Sequence, residues 1–174
     1  MNAPLQAAAK AGQMPGVAIG IIRERDGRGR VRLAYPWLDD TLLSDWMPVA
    51  AGMTGGGSGL FMMPEPGDEV VVAFLHGQFE SPVVVGFLWN GVDKPPSADP
   101  RERMICSRNG HKIRFIDSTP AAGDKGALVV EDAHGNRITL SNGKIALAAM
   151  AILEITAPVV TINGRVVQPS ASPI

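Results

Sequence analysis

GVAIGIIRERDGRGRVRLAY, residues 16–35, contains two apolar runs on either side of a turn. Residues 17–22 are almost entirely aliphatic, and Asp26-Gly27-Arg28-Gly29 supplies the Asp and Gly residues that tight turns favour. In residues 30–35 basic and apolar side chains alternate, so every second side chain lies on one face of a strand. The side chains that we expect to face a core are Val31, Leu33 and Tyr35.

Further strands are predicted after this hairpin, at residues 46–51, 69–75 and 82–89. Each is a short apolar run bounded by Gly or Pro, and no long helical pattern interrupts them. The 20 glycines and 14 prolines of the 174-residue chain suit many short strands joined by turns. The sequence therefore predicts an all-β fold in which residues 16–91 form a small barrel after a tail at residues 1–15.

The chain changes character after the barrel, because residues 92–103 are rich in Pro, Ser and Asp and predict a linker. A second β segment is predicted at residues 104–166, and it includes strand signals at residues 152–156 and 159–164. Residues 167–174 are predicted to form a tail or tip. Within the second β segment, three units share a Gly turn, a polar or basic residue, and then alternating apolar and polar residues. The units are Asn109-Gly110-His111-Lys112-Ile113-Arg114-Phe115, His134-Gly135-Asn136-Arg137-Ile138-Thr139-Leu140 and Asn142-Gly143-Lys144-Ile145-Ala146-Leu147.

This second segment predicts an oligomer. An exposed apolar β segment aggregates unless it is paired, and these short strands have almost no evident local partner for their apolar edges. Identical copies that intertwine and close around an axis would supply the missing partners. The residues expected to face the axis are Ile113, Phe115, Ile138, Leu140, Ile145, Leu147, Val160 and Ile162. The residues expected to face outward are Lys112, Arg114, Arg137, Thr139 and Thr161.

Charge, cysteine content and hydropathy exclude several classes of protein. A net charge of −1 and a pI near 6.3 provide no basic field for nucleic acid. The single Cys106 permits neither an intrachain disulfide nor a multi-cysteine zinc site. No apolar run approaches the roughly 18–20 residues of a membrane span, and the first residues lack a signal peptide's apolar core. We therefore expect synthesis in the cytoplasm without a signal peptide.

No group of residues has an evident catalytic or ligand-binding pattern. The Gly-rich residues 55–59 lack the Lys-Ser/Thr ending of a phosphate-binding loop. His76, His111 and His134 lack metal-ligand spacing, although symmetry could gather three copies of one of them around an axis. We expect the acidic residues Asp39-Asp40 and Glu65 with Asp68-Glu69 to lie in solvated turns, and Ser58 and Cys106 have no evident base as a partner. We expect the aromatic side chains of Tyr35, Phe74, Phe87 and Trp89 to belong to the core. We therefore predict no catalytic residue, no cofactor and no metal ligand.

Several motifs, in order along residues 16–96, resemble those of one known family. They are Gly20-Ile21-Ile22, Asp26, Gly29-Arg30-Val31-Arg32-Leu33, Pro36-Trp37-Leu38, Trp46-Met47-Pro48-Val49-Ala50, Gly55-Gly56-Gly57-Ser58-Gly59, Phe61-Met62-Met63-Pro64-Glu65-Pro66-Gly67-Asp68-Glu69-Val70-Val71-Val72-Ala73-Phe74, His76-Gly77 and Pro82-Val83-Val84-Val85-Gly86-Phe87-Leu88-Trp89-Asn90-Gly91. Arg108-Asn109-Gly110-His111-Lys112-Ile113 also resembles the opening of that family's stem. The family is the phage baseplate assembly protein V family, shared by the central spikes of contractile tails and the valine–glycine-repeat proteins of type VI secretion.

The resemblance implies an OB-type barrel followed by an intertwined, trimeric β-helix stem. It implies a non-enzymatic central spike below the tube, in a virion baseplate or an assembled injection particle. Such a spike is driven through the target envelope when the sheath contracts. A closed trimeric β-prism has no free strand edges, so we expect it to bear axial load and to unfold slowly.

The resemblance also implies a set of partners. Besides the homotrimer, a separate hub protein is expected on the N-terminal side, because residues 1–15 are too short for the hub domain of secretion-type members. Residues 91–103 are likewise too short for the lysozyme domain that some members carry. Residues 166–174 contain no histidine, so the iron-binding tip of some spikes is not carried over, and a PAAR-repeat tip protein is expected there. No nucleic-acid partner is expected.

Two other functions stay open at this point. The first is a monomeric OB-type protein that binds nucleic acid or saccharide, with a disordered tail. Its native mass would be near 18.3 kDa, and the neutral charge and the apolar strands after Pro100 argue against it. The second is an enzyme with a cryptic site, such as an envelope hydrolase, which a zymogram on cell-wall material would reveal.

Overall fold

The computed structural model shows an all-β protein, which confirms the predicted fold class. Its strands belong to two compact units that divide between Pro95 and Pro96. Among the residues that the structure describes, the only helical element is a 3-10 turn at Leu75–Gly77. The described residues are 11–14, 16–39, 41–119, 123 and 125–167.

Among its described residues, the first unit contains seven strands. They are β1 (Val17–Arg25), β2 (Arg30–Ala34), β3 (Met47–Pro48), β4 (Thr54–Gly55), β5 (Ser58–Gly59), β6 (Glu69–Phe74) and β7 (Pro82–Phe87). Five of them form one antiparallel sheet in the order β3-β2-β1-β6-β7. The two ends of this sheet approach each other, because Val49 forms a parallel bridge with Val84 and the Ala50 N–H donates to the Val84 carbonyl at 2.8 Å. The nearly closed five-stranded barrel is of the OB type, as expected.

The barrel encloses a hydrophobic core. Val31 and Leu33 are fully buried and Tyr35 is 5% exposed, so the predicted inward face of β2 is confirmed. Complete burial of one such aliphatic side chain contributes about 1.5–3 kcal/mol. Gly20 makes room for this packing, since a Cβ at that position would lie 2.7 Å from Leu33 Cδ1.

The five strands predicted for the barrel are all present, with ends that differ by a few residues. The Gly-rich residues 55–59 are part of a short hairpin, in which β4 pairs with β5. Apolar side chains next to this hairpin are exposed rather than packed on the core. They are Met53, Leu60, Phe61 and Met62.

The described part of the second unit contains seven further strands. They are β8 (Glu102–Cys106), β9 (Lys112–Ile116), β10 (Ala127–Glu131), β11 (Arg137–Ser141), β12 (Lys144–Ala148), β13 (Thr161–Ile162) and β14 (Arg165–Val166). Strands β8 to β12 form a five-stranded antiparallel sheet in which neighbours in the chain are neighbours in space. Strands β13 and β14 form a separate hairpin. Asn142-Gly143 and Asn163-Gly164 have positive φ at both residues, as two-residue hairpin turns require.

The second sheet corrects three details of the sequence interpretation. Its strand edges do have local partners, because every pairing from β8 to β12 is made within one chain. Strands β8 and β10 were not among the predicted strands. Residues 152–156, which have an alternating pattern, form no strand and are exposed.

Candidate functional site

Strand register arranges one face of the second sheet into two rows of side chains. Cross-strand partners lie on the same face, so each row can be followed across all five strands. The first row lies beside residues 149–155, a segment that we call the strap, and is therefore called the strap row. It consists of Ile105, Ile113, Val130, Ile138 and Leu147. The loop row, which borders the loop before β10, is Phe115, Leu128, Leu140 and Ile145, and Arg103 occupies its position on β8.

These two rows are exposed in the single chain. Eight of the nine apolar side chains are between 39% and 70% exposed, and Leu128 is half-buried. Val129, on the opposite face, is the only buried hydrophobic residue described in the second unit, whereas the barrel unit contains twelve. An apolar patch of this extent on a soluble protein marks an interaction surface.

Six of the eight residues predicted to face an axis lie together in these rows. Val160 and Ile162 do not, because they lie at the β13–β14 hairpin, where Val160 accepts a hydrogen bond from the Val167 N–H at 2.7 Å. That the rows face a symmetry axis stays a prediction. The sequence analysis missed three members of the rows, which belong to β8 and β10. They are Ile105, Leu128 and Val130.

The opposite face of the sheet, which we call the polar face, carries most of the charged side chains of the sheet, among apolar ones. Arg114 on β9 forms ion pairs with Glu102 on β8 and Glu131 on β10, each at 2.8 Å. Partial burial disfavours the charged guanidinium, but the hydrogen bonds to Glu131 and Glu102 outweigh this and raise the pKa of Arg114. Hydrogen bonds from Ser97 and then from Arg114 hold the pKa of Glu102 below its usual value.

The strap, residues 149–155, follows β12. Its start is fixed at the turn between β10 and β11, where the Met150 N–H donates to Asn136 Oδ1 at 2.8 Å. The strap and the strap row are the two apolar walls of an open groove of about 900 Å³. Its apolar side chains are strongly exposed, with Ile152 at 83% and Ile155 at 63%.

The other candidate residues lie apart from one another or have structural partners. His111 Nδ1 accepts the Ala133 N–H at 3.3 Å, and His134 Nδ1 lies 3.6 Å from Asp132 Oδ2. The Ser58 hydroxyl donates to the Gly55 carbonyl at 3.0 Å, and Cys106 is half-buried on β8. Within the part of the chain that the structure describes, no three His, Cys, Asp or Glu side chains group as metal ligands would.

The described part of the chain contains no helix with the length and hydropathy of a membrane span.

Comparison with known families assigns the first unit. Residues 15–89 match the family described as the type VI secretion system/phage-baseplate injector OB domain. The match covers β1 to β7, the complete sheet of the nearly closed barrel. The first unit is therefore similar to the injector OB domain along its whole sheet.

Curated proteins that are similar to this chain include type VI secretion system spike proteins and one toxin. VgrG4b, a spike protein of Pseudomonas aeruginosa, is 32% identical over 114 residues, which is 63% of this chain and 13% of the relative. The spike protein VgrG2a of the same species is 29% identical over 106 residues, 54% of this chain and 13% of the relative. The actin cross-linking toxin VgrG1 of Vibrio cholerae is 30% identical over 82 residues, 45% of this chain and 8% of the relative. The chain thus spans a small fraction of the length of each of these relatives.

Proposed function

We propose that this protein is a homotrimeric, non-enzymatic central spike of a contractile injection machine, with three copies of the second sheet closing into a stem. The contrast between the two units carries this proposal. The barrel buries twelve hydrophobic residues, whereas the second unit buries only Val129 among its described residues and exposes two apolar rows. A sheet of this kind gains its core only when further copies cover the rows.

The relatives support the same function. The match to VgrG4b, at 63% of this chain, is longer than the whole first unit and therefore extends into the second. VgrG4b is named a spike protein, so the resemblance includes part of the proposed stem. The division that we propose is a tail at 1–15, the barrel at 16–91, a linker at 92–103, the stem at 104–166 and a tail or tip at 167–174.

In the proposed trimer the apolar rows face the axis and the polar face, with Arg114, faces outward. The predicted axis residues Val160 and Ile162 would continue the stem below the sheet. The spike would lie below the tube of a baseplate or injection particle, between a hub protein and a PAAR-repeat tip protein. Sheath contraction would drive it through the target envelope.

Native mass tests the proposal. Sedimentation of the purified protein should give three times 18.3 kDa. Ile138→Asp, which places three carboxylates at the proposed axis, should reduce the mass to that of one copy, because burial of unpaired charge costs several kcal/mol per ion.

Thr139→Asp is the matched control, since it adds the same charge at the next residue of β11, on the opposite face. It should remain a trimer. A trimeric Ile138→Asp variant would disprove the inward orientation of the rows. A wild-type protein that sediments as one copy would disprove the spike function and favour a monomeric OB-type binding protein.

A further inference from the structure

We infer that residues 12–14 form a latch, a short segment that opens and closes over one end of the barrel while the rest of the barrel stays folded. The latch precedes β1 and lies just outside the residues that match the injector OB domain. In the closed state it adds one side chain to the core, and in the open state it leaves that end of the core uncovered. The inference concerns the barrel alone and does not depend on the proposed trimer.

A single side chain holds the latch to the core. Met14 is 2% exposed and belongs to the buried cluster that includes Tyr35 and Phe74. The three residues before it, 11–13, are all exposed. A methionine side chain is unbranched and adaptable, so it can leave such a pocket and return to it without a fixed fit. The packing of the latch therefore depends on one residue.

Few backbone bonds add to this contact. The Met14 N–H donates to the Gly77 carbonyl at 2.7 Å, and the Phe79 N–H donates to the Gly12 carbonyl at 3.2 Å. Strand β1, by contrast, pairs with β2 on one side and with β6 on the other. Segments with few contacts open at a much lower free energy than the core of the same domain. The latch should thus open without the unfolding of β1.

A glycine on each side of Met14 supplies the backbone freedom that opening requires. Gly12 and Gly16 have φ of +75° and +92°, and nothing lies within 4 Å of a Cβ placed on either residue. Glycine changes between left-handed and other conformations at little cost, and residues that absorb such changes act as hinges. The two glycines therefore allow Met14 to move out of the core.

Opening changes what the end of the barrel presents to other molecules. It exposes the apolar pocket of Met14 and frees the Gly77 carbonyl and the Phe79 N–H, which the latch occupies when closed. A pocket beside unpaired backbone groups is the kind of edge to which an extended peptide adds as a strand. The closed latch protects this edge from such pairing.

Methionine oxidation measures the opening. Hydrogen peroxide converts accessible methionine to its sulfoxide, and peptide mass spectrometry of the full chain gives the initial rate at each position. Met47 on β3 is 1% exposed and so matches Met14 in burial, whereas Met53 is 61% exposed. We expect Met14 to be oxidised about tenfold faster than Met47 or more, because local opening costs less than unfolding of the barrel. Its rate should stay well below that of Met53.

A disulfide across the latch tests whether this motion exposes Met14. Gln13 and Gln78 form an antiparallel bridge and are both exposed. The two backbone bonds lie on either side of this pair, so its Cα atoms should be about 4.5 Å apart, which a disulfide can span. In a Cys106→Ser background, Gln13→Cys with Gln78→Cys should lower the Met14 rate to that of Met47. Reduction and alkylation of the same protein should restore the faster rate.

Gly12→Ala should have the opposite effect. The closed latch holds residue 12 at positive φ, which alanine adopts with difficulty, so the Met14 rate should rise about tenfold. Gly29→Ala is the matched control, because Gly29 has a φ of +79° in the turn between β1 and β2 and equally open surroundings. It should leave the Met14 rate unchanged.

Three results would overturn the latch. Equal rates at Met14 and Met47 in the wild type would mean that both are exposed only when the barrel unfolds. A Met14 rate equal to that of Met53 would mean that the segment is not docked at all. A Met14 rate that the disulfide leaves unchanged would mean that another motion exposes it. None of these results bears on the trimer, which sedimentation tests separately.

Discussion

Gly126 precedes β10, and its conformation determines how that strand joins the second sheet. Its φ is +77°, and a Cβ on this residue would lie 1.9 Å from the Ile116 carbonyl oxygen. The close approach is required because Ala127, the next residue, pairs with Ile116 at the end of β9. The backbone of Gly126 therefore occupies space that no side chain could share.

We predict that Gly126→Ala destabilises the second sheet more than Gly143→Ala does. Gly143 has a similar φ of +73°, but nothing lies within 4 Å of a Cβ placed there. Gly143→Ala should lower the free energy of unfolding by only about 1–2 kcal/mol, which is the cost of a left-handed backbone conformation for an L-residue. Gly126→Ala must also displace the β9 backbone, so its loss should be larger. Denaturant unfolding followed by circular dichroism measures both, and equal losses would contradict the assigned clash.

The second sheet is braced across its polar face by one arginine. Arg114 lies on β9, between Glu102 on β8 and Glu131 on β10, and its guanidinium bonds to both carboxylates. One side chain thus links three strands, which an isolated ion pair between neighbours would not do. The same arginine shields two carboxylates that would otherwise repel each other.

We predict that Arg114→Met lowers the stability of the sheet by about 1–2 kcal/mol at pH 7, the range for charge-assisted hydrogen bonds at a partly exposed site. The pKa of Glu102 is lowered in the folded protein, so its contribution is present above the usual glutamate value of 4.5 and is lost as the pH falls below it. The stability difference between wild type and variant should therefore shrink below pH 4.5.

Urea unfolding at pH 7 and at pH 3 measures this difference. Arg137→Met, an exposed arginine of the same face, is the control and should lose little at either pH. A stability difference for Arg114→Met that stays constant down to pH 3 would contradict the assigned role of the carboxylates.

The strands that could be predicted from the sequence are those in which apolar and polar residues alternate, because one face of the strand is buried and the other is not. In β2, Val31 and Leu33 alternate with arginines because one side of the strand meets a core made by the same chain. In β10, Leu128, Val129 and Val130 are contiguous, since Val129 is buried on one face and its neighbours lie on the apolar face. That run has no period of two to detect.

The alternating residues 152–156 show the opposite case. Their pattern predicts a strand, but a strand also needs a pairing edge, and the single chain supplies none there. An alternating pattern indicates that a segment is suited to be a strand. It does not show whether the same chain also provides the strand edge with which that segment would pair. The candidate rows could therefore be found from periodicity in β9, β11 and β12, while the surface that covers them could not.

At the scale of the whole molecule, the two units differ in where their stability originates. The barrel has a core of its own, whereas the second unit exposes its two rows in the single chain and would gain a core only in the proposed trimer. All three tryptophans and the single tyrosine lie in the first unit, at Tyr35, Trp37, Trp46 and Trp89. Tryptophan fluorescence therefore reports on the barrel alone, and far-ultraviolet circular dichroism reports on both units.

We predict two thermal transitions with different dependence on protein concentration. The fluorescence transition should not move on dilution, because the barrel unfolds as one chain. The additional transition seen by circular dichroism should fall by about 5 °C for each tenfold dilution, because dissociation accompanies it. Identical, concentration-independent transitions by both probes would contradict a stem that depends on assembly.

Arg103 has a consequence for assembly accuracy. Two sheets with similar rows of aliphatic side chains could pack one strand out of register and still bury almost the same apolar surface. Stems assembled in this way would be of uneven length. Arg103 ends the loop row on β8 with a guanidinium paired to Asp117. In a copy displaced by one strand, the Arg103–Asp117 pair would lie against the Phe115 or Ile145 end of another chain, where there is no ionic partner for it. In the proposed trimer, Arg103 would thus act as a stop that keeps the three sheets in register.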